Sequence, residues 1–380
     1  MNVFPLRSLQ TAMLVIAFAC VAVINVGSRI GVHPDEPLHI ASARYFEHHE
    51  LPPVVDESYT KYLDPAYGVS YALSVPPELA YFIYGRLARF YENFGASFAY
   101  GCRYAALTLF AMLTGFCAWH RPKHPAFAFM LLATPQVWYV FSYVNGDAYG
   151  IFASFWVVWQ LGYRGSLGRG FIDRNESKRG AAHVAIALAA LFLCKRNYLP
   201  FLMYAIAHET VRSFGDKPRF KRWVFAVGLA VVIGGGITIY DEARNDFSKT
   251  ERALLLREEH AQAPWKQSAI DKGTAMQGLG LRQKGVPAMQ VLFAPWHWLD
   301  GIYKTFLGVY GPMSIWFPPW QYALRGLAFL GLTVLAFWGS RKHRLEWLGG
   351  GAMVCAIILA AFEFAWTYDF QPQGRYIFAL

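Results

Sequence analysis

Between Arg7 and Arg29 the chain runs for 21 residues without a charge, with TAMLVIAFACVAVINVG at the centre of the run. A helix that crosses a bilayer needs about 20 predominantly apolar residues at 1.5 Å of rise each. Comparable runs recur at about 98–119, 125–146, 148–163, 181–194, 197–211, 223–240, 321–340 and 346–367. Nine such runs predict an all-α polytopic membrane protein with about nine transmembrane helices, forming a single transmembrane domain over residues 1–380. The chain is 55% hydrophobic and 16% charged, against roughly 25% charge in a soluble domain. An aromatic content of 17% excludes a disordered chain. The first run reads as an anchor and not as a cleaved signal peptide, since it is long and no small-x-small cleavage site follows it.

The net charge of +10 would suggest nucleic acid if it lay on one soluble surface. Instead the Lys and Arg residues cluster in short loops: Arg121/Lys123, Arg164 to Arg179, Arg212 to Arg222, and Arg341/Lys342/Arg344. With Arg7, all fall on one side if every run crosses, and cytoplasmic loops carry such an excess. The segment 181–211 has basic flanks at both ends, so it is expected to cross twice and turn at Cys194-Lys195-Arg196-Asn197. The expected placement is therefore multi-pass in a membrane, with the N-terminus cytoplasmic. Membrane lipids are expected partners, and nucleic acid is not. The five cysteines lie in or beside apolar runs, without paired or metal-binding spacing, and read as small core hydrophobes.

Two long segments, about 30–97 and 241–320, face the other side and hold nine and eight of the 25 acidic residues. The first opens Gly31-Val-His-Pro-Asp-Glu-Pro-Leu-His39. Pro37 suits the first turn of a helix running to about Glu47, which puts Asp35 and Glu36 at its start and His39 one turn on. Such carboxylates serve either as helix caps or as a general base or metal ligands with His33 or His39. The tyrosines of 59–71 read as an interfacial aromatic belt or as sugar-stacking surfaces. The stretch from Val75-Pro-Pro-Glu78 starts an amphipathic helix expected to lie on the membrane.

Further features sit at the ends of runs. Asn145-Gly-Asp147 is ordinary turn chemistry or gives Asn145 and Asp147 a functional role. Lys195-Arg196-Asn197-Tyr198 puts two cations where they either snorkel to lipid phosphates or hold a bound phosphate. Glu363, inside an apolar run, is a functional candidate by default. Trp296 to Met313 suggests a helix and a broken segment returning to the membrane. No P-loop, dinucleotide fingerprint, zinc-protease or nucleophile-elbow motif occurs, and the loops on the basic side are too short for a nucleotide-binding domain. No internal repeat of the kind found in secondary transporters is visible.

The run of Pro34-Asp-Glu-Pro-Leu-His39 after the first helix, Asn145-Gly-Asp147, Lys195-Arg-Asn-Tyr198, Phe306-Leu-Gly-Val-Tyr-Gly-Pro312 and Gln373-Gly-Arg-Tyr376 resembles a bacterial family of uncharacterised multispan proteins within the GT-C class of membrane glycosyltransferases. The likeness extends over nearly the whole chain. It implies a GT-C-like bundle with interfacial helices in the large first extracytoplasmic loop. It also implies transfer of a sugar from a polyprenyl-phosphate donor to a lipid, glycan or protein acceptor of the cell envelope, on the extracytoplasmic face. By the resemblance, Asp35 is the catalytic base with Glu36 its nearest rival. Lys195, Arg375, Arg196 and Tyr376 hold the donor phosphate, and Asp147, Asn145 and His39 orient the acceptor. A divalent metal, if used, would fall to Asp35, Glu36 and His39, or to Asp147 in place of its orienting role, and the membrane would be a bacterial inner (plasma) membrane. In that family the Gln-Gly-Arg-Tyr segment precedes at least one further membrane helix, so the resemblance makes this sequence one helix short. The alternatives are a secondary transporter or translocase of a lipid-linked glycan, and a non-catalytic envelope subunit.

Overall fold

A computed structural model describes residues 4–120, 131–132, 134–311, 313–339 and 344–379. Among the described residues the chain is helical, with isolated bridges at Leu279–Asp369 and Tyr310–Ile315 and no strands. Five helices are long and apolar enough to cross a membrane. They are α1 (Phe4–Gly27), α4 (Phe98–His120), α10 (Lys217–Arg244), α13 (Pro319–Gly339) and α14 (Arg344–Thr367). That composition is compatible with a multi-pass membrane protein.

The other four apolar runs form shorter helices. Residues 121–130 and 133 lie outside the described residues, and with them Arg121 and Lys123; the third run contributes α5 (Pro135–Phe141). Helices α6 (Gly146–Gly162), α8 (Lys178–Phe192) and α9 (Leu199–Ser213) have 17, 15 and 15 residues, or about 22–26 Å at 1.5 Å per residue. Their apolar character has a second cause. Nearly every turn of α6 is buried among its neighbours, as an all-round hydrophobic helix inside a bundle must be. Hence nine apolar runs become five helices of crossing length plus an enclosed apolar core.

The first long loop is a packed unit. Helix α2 (Glu36–Tyr45) begins where Pro37 predicts, and α3 (Leu79–Glu92) follows the second proline pair. The α3 face expected on lipid is instead spent on α2 and α4: Tyr81, Tyr84 and Ala88 are buried there. Of the tyrosines between them, Tyr62, Tyr67 and Tyr71 are half-buried and Tyr59 matches neither expectation. Tyr59 is buried with its hydroxyl on Ser70 Oγ (2.8 Å), against Tyr45 and Tyr62. Helix α7 (Leu167–Arg174) is tied to α9 and α10 by a buried network in which Arg169 meets Glu209 (2.7 Å) and Asp173 (2.8 Å), and Arg219 meets Glu209 (2.7 Å). These basic residues, and Lys178 and Arg179, sit at the opposite end of α8 from Lys195. Arg341 and Lys342 lie outside the described residues.

The second long loop is anchored by a fully buried pair, Lys249 Nζ to Asp241 Oδ2 at 2.7 Å, joining α10 to α11 (Lys249–His260). Asn245 adds hydrogen bonds to the Val55 N–H and the Pro53 carbonyl of the first loop. Helix α12 (Trp298–Leu307) then gives way to the segment 308–318, which docks on α5: Val309 N–H donates to Gln136 Oε1 (2.9 Å), and Tyr139 Oη donates to the Gly311 carbonyl (2.9 Å). Glu363 is exposed on α14.

Candidate functional site

Adjacent carboxylates at the start of α2 have different fates. Glu36 Oε1 accepts from Arg103 Nε (2.7 Å), and Oε2 accepts from Arg103 Nη2 (2.8 Å) and the Gly31 N–H (2.8 Å). Both side chains are 0% exposed. Arg103 spends its remaining donors on the carbonyls of Asn25, Ser28 and Arg29 at the end of α1. A bidentate arginine–carboxylate pair of this kind fixes geometry as well as charge. Glu36, the predicted rival base, is thus the anchor that welds α1, α2 and α4 together.

That anchor holds Asp35 with φ 54, in the left-handed region. Asp35 is the residue before α2, yet its side chain makes no capping hydrogen bond. The capping alternative therefore does not describe it. Left-handed backbone costs a non-glycine residue on the order of 1–3 kcal/mol and persists where surroundings over-determine it; here the Glu36–Arg103 pair does so. The half-buried carboxylate lies within electrostatic reach of Tyr143, Tyr67 and Asp369. Burial, with the charge of Asp35 assisting, pushes the Asp369 carboxyl above its ordinary range.

Three residues far apart in sequence meet next to this wall. Asn145 caps α6: its Oδ1 accepts from the N–H groups of Asp147 and Ala148 (both 3.0 Å) while its Nδ2 donates to the Val140 carbonyl. Asn145 therefore does turn chemistry and is not aimed at a ligand. The cap turns Asp147 inward, where Oδ2 lies 3.4 Å from Lys195 Nζ and 3.0 Å from Arg375 Nε. Asp147 Oδ1 is buried without a hydrogen-bond partner among the described residues. Burial works against the Asp147 carboxylate, but Lys195 and Arg375 outweigh it and hold its pKa below the ordinary value.

Each cation is placed by a specific local feature. Lys195 follows α8 and precedes the turn Arg196–Tyr198. Tyr198 Oη donates to the Asp147 carbonyl (3.0 Å), and its ring fills the space where a Cβ on Gly150 would stand. Arg375 follows Gly374, whose N–H donates to Thr305 Oγ1 (2.6 Å). A Cβ at Gly374 would fall 2.2 Å from the Ile302 carbonyl oxygen, so only glycine lets this segment lie on α12. Arg375 then reaches Gln373 Oε1 (2.9 Å) and Tyr143 Oη (2.6 Å). Arg196, predicted beside Lys195, points elsewhere and donates to the Val75 carbonyl (2.8 Å). The side chain of Tyr376 lies outside the described residues.

His39 is buried, stacked on Tyr71 with its Nδ1 2.8 Å from Tyr81 Oη. Burial first, then Lys195 and Arg375, lower its pKa well below the ordinary value, so it stands neutral. His33 has both ring nitrogens engaged, with Tyr139 and Ser28 (2.8 Å each), and burial lowers its pKa to about 4. The suggested metal set of Asp35, Glu36 and His39 does not suit a divalent cation, because Glu36 belongs to Arg103 and His39 to Tyr81. Among the described residues no group of three or more His, Cys, Asp or Glu could hold one.

Glu78 belongs to the site as well, although sequence reasoning misses it. It is buried beside the cluster, with Oε1 accepting from Ser74 Oγ (3.1 Å) and Oε2 without a hydrogen-bond partner among the described residues. Burial raises its pKa to about 7, against the pull of Lys195. Its only sequence signal is Pro76-Pro77-Glu78 at a helix start, which looks like an ordinary cap. A narrow cleft of about 20 Å³ adjoins Arg375, lined by Pro34, Tyr139, Tyr143, Met313 and Gln373; it has room for a water-sized group.

Among the described residues these features define a helical protein with five helices of membrane-crossing length and a buried carboxylate, Asp147, flanked by two cations. No family model, curated protein or solved structure matches the chain.

Proposed function

We propose that the chain is a bacterial membrane glycosyltransferase of the GT-C class, moving a sugar from a polyprenyl-phosphate donor to an envelope acceptor on the extracytoplasmic face. On this proposal the five long helices and the four shorter apolar segments make about nine crossings. The N-terminus and the basic loops are cytoplasmic, and the Asp147 cluster lies at the outer end. The observation that carries the proposal is the convergence of Lys195 and Arg375 on a single oxygen of Asp147. Asp147 would hold the half-buried Lys195 and the buried Arg375 in position for an incoming phosphate, whose charge both can meet.

Asp35 is the base. Its carboxylate takes the proton of an acceptor hydroxyl as that oxygen attacks the anomeric carbon of the sugar. The bond from that carbon to the phosphate oxygen breaks, and the charge that develops on the leaving polyprenyl phosphate falls to Lys195 and Arg375. A phosphosugar exceeds the present cleft, so donor binding requires the wall formed by Val309 and Met313 to withdraw. The buried ionisable groups lie near helix ends, Asp147 and Arg375 at one end of the bundle and Arg169 with Glu209 at the other, which disfavours the transporter alternative because transport needs such groups midway along it. The size of the cleft favours a second reading, a non-catalytic envelope subunit in which Asp147 permanently neutralises the cations.

The test is turnover by protein reconstituted in liposomes, with a series of polyprenyl-phosphate sugars, comparing wild type with Asp35→Asn. Asparagine tolerates the left-handed backbone, so the variant keeps its fold. Wild type should release sugar from at least one donor, and the variant should be slower by about 10²-fold or more. Full activity in Asp35→Asn removes Asp35 as base. A folded wild type inert toward every donor supports the non-catalytic subunit.

A further inference from the structure

Helix α2 has two working faces. His39 and Ser42 point into the protein, whereas Pro37, Ile40, Ala41 and Arg44 follow one another at helical spacing on the other side. That second face forms one wall of an open groove of about 340 Å³, completed by Ile30, just past α1, and Ala99, in the first turn of α4. The volume falls within the range of about 300–1,000 Å³ common to ligand pockets. Scattered apolar side chains on a surface need no explanation, but this groove has a charged rim. The Arg44 guanidinium lies 3.8 Å over the Phe98 ring, and the Lys61 ammonium lies 5.0 Å over the Tyr62 ring. Arg44 shares Nη1 with Glu47 (2.9 Å), which also meets His48 (3.1 Å). Lys61 makes no ion pair among the described residues. The rim is therefore net positive, with both cations steadied on aromatic faces.

Position then selects the occupant. The groove lies where α1 ends at Gly27 and α4 begins at Phe98, two of the five helices of crossing length. Where these helices leave the hydrocarbon, the neighbouring small molecules are phospholipids with their phosphates at that depth. An apolar floor beneath two cations matches a glycerol backbone and acyl chain below an anionic head group.

We infer that this groove is a binding site for one anionic glycerophospholipid, its phosphate held by Arg44 and Lys61 and its chain lying along the flank of α1 and α4. The lipid braces α2 from outside, opposite His39 and one turn from Asp35. The site shares none of its lining with the Asp147 cluster, and it stands whether or not the chain transfers a sugar.

The test uses the full-length protein in phosphatidylcholine nanodiscs with and without phosphatidylglycerol, followed by detergent extraction and native mass spectrometry. Wild type should retain one phosphatidylglycerol in preference to phosphatidylcholine. The Arg44→Gln/Lys61→Gln double variant should lose that preference by about tenfold or more, since each cation near an anionic lipid contributes on the order of 1 kcal/mol. Ala41→Phe, which fills the groove and leaves the charges alone, should also lower retention, and it decides the matter if the double variant fails to fold. Equal retention of the two lipids by wild type, or undiminished retention by folded variants, overturns the site. Displacement of the lipid by inorganic phosphate alone would show a free-phosphate site instead and overturn the lipid assignment.

Discussion

Asp35 and Glu36 are neighbours in sequence and both are acidic, yet Glu36 is a structural anchor and Asp35 makes no side-chain capping hydrogen bond. What separates them is Arg103, 67 positions further along the chain from Glu36, and nothing local announces it. Breaking a buried pair strands the surviving charge and costs about 3–5 kcal/mol. Arg103→Leu should therefore lower unfolding free energy in detergent by about that amount. Asp35→Asn should stay within about 1 kcal/mol of wild type, because it loses no hydrogen bond and keeps a side chain suited to positive φ. Equal losses in the two variants would contradict the division of labour. Glu78 adds a pH signature. Its pKa in the fold, about 7, exceeds its ordinary 4.5, so the fold favours the protonated acid. Its contribution is full below pH 4.5 and is lost as pH rises through about 7, a change on the order of 3 kcal/mol. His33, lowered from 6.5 to about 4, works in the opposite direction, its contribution being lost as pH falls toward 4. The clean measurement is thus the difference between wild type and Glu78→Gln across this range. It should shrink as pH rises toward 7 and then level off; a flat difference would show that Glu78 titrates normally.

At the level of elements, the features set by local chemistry were readable. Pro37 marks the first turn of α2, Asn145 caps α6, and the turn after Cys194 separates α8 from α9. Destinations were less readable. The apolar face of α3 suits lipid as well as it suits α4, and the small residues that let α3 approach α4 carry no distinct periodic sign. Arg196 and Lys195 are equivalent as text, but the turn sends one to the Val75 carbonyl and the other to Asp147. Gly374 shows how an element delivers a side chain. A methyl group there meets the α12 backbone, which has no rotamer to yield. Gly374→Ala should destabilise by about 1–3 kcal/mol and draw Arg375 away from Asp147. Unfolding of the variant alongside Arg375→Gln tests this; an unchanged midpoint for Gly374→Ala would mean that the segment does not lie on α12 as described.

Over the whole molecule, hydropathy made the helical, membrane-compatible architecture legible, because apolar runs of this length have few other uses. It did not separate a helix that faces lipid from a helix enclosed by others, since both are apolar; α6, with 17 residues almost wholly buried, is the instance. The resemblance singled out Lys195 and Arg375 for a phosphate and Asp147 for an acceptor or a metal, but not the pairing of Asp147 with both cations, as residues joined by 48 and 228 positions of intervening chain share no local pattern. Whether that cluster receives a lipid phosphate is the central claim, and it can be measured without knowing the sugar, because every donor of this class carries the same phosphate-linked lipid. Binding of polyprenyl phosphate to the reconstituted protein should be saturable in wild type. It should weaken at least about tenfold in folded Lys195→Gln and in Arg375→Gln, as removal of one charged phosphate contact is worth about 1.5–3 kcal/mol. Saturable binding that is indifferent to both substitutions, or no saturable binding by folded wild type, would contradict the account.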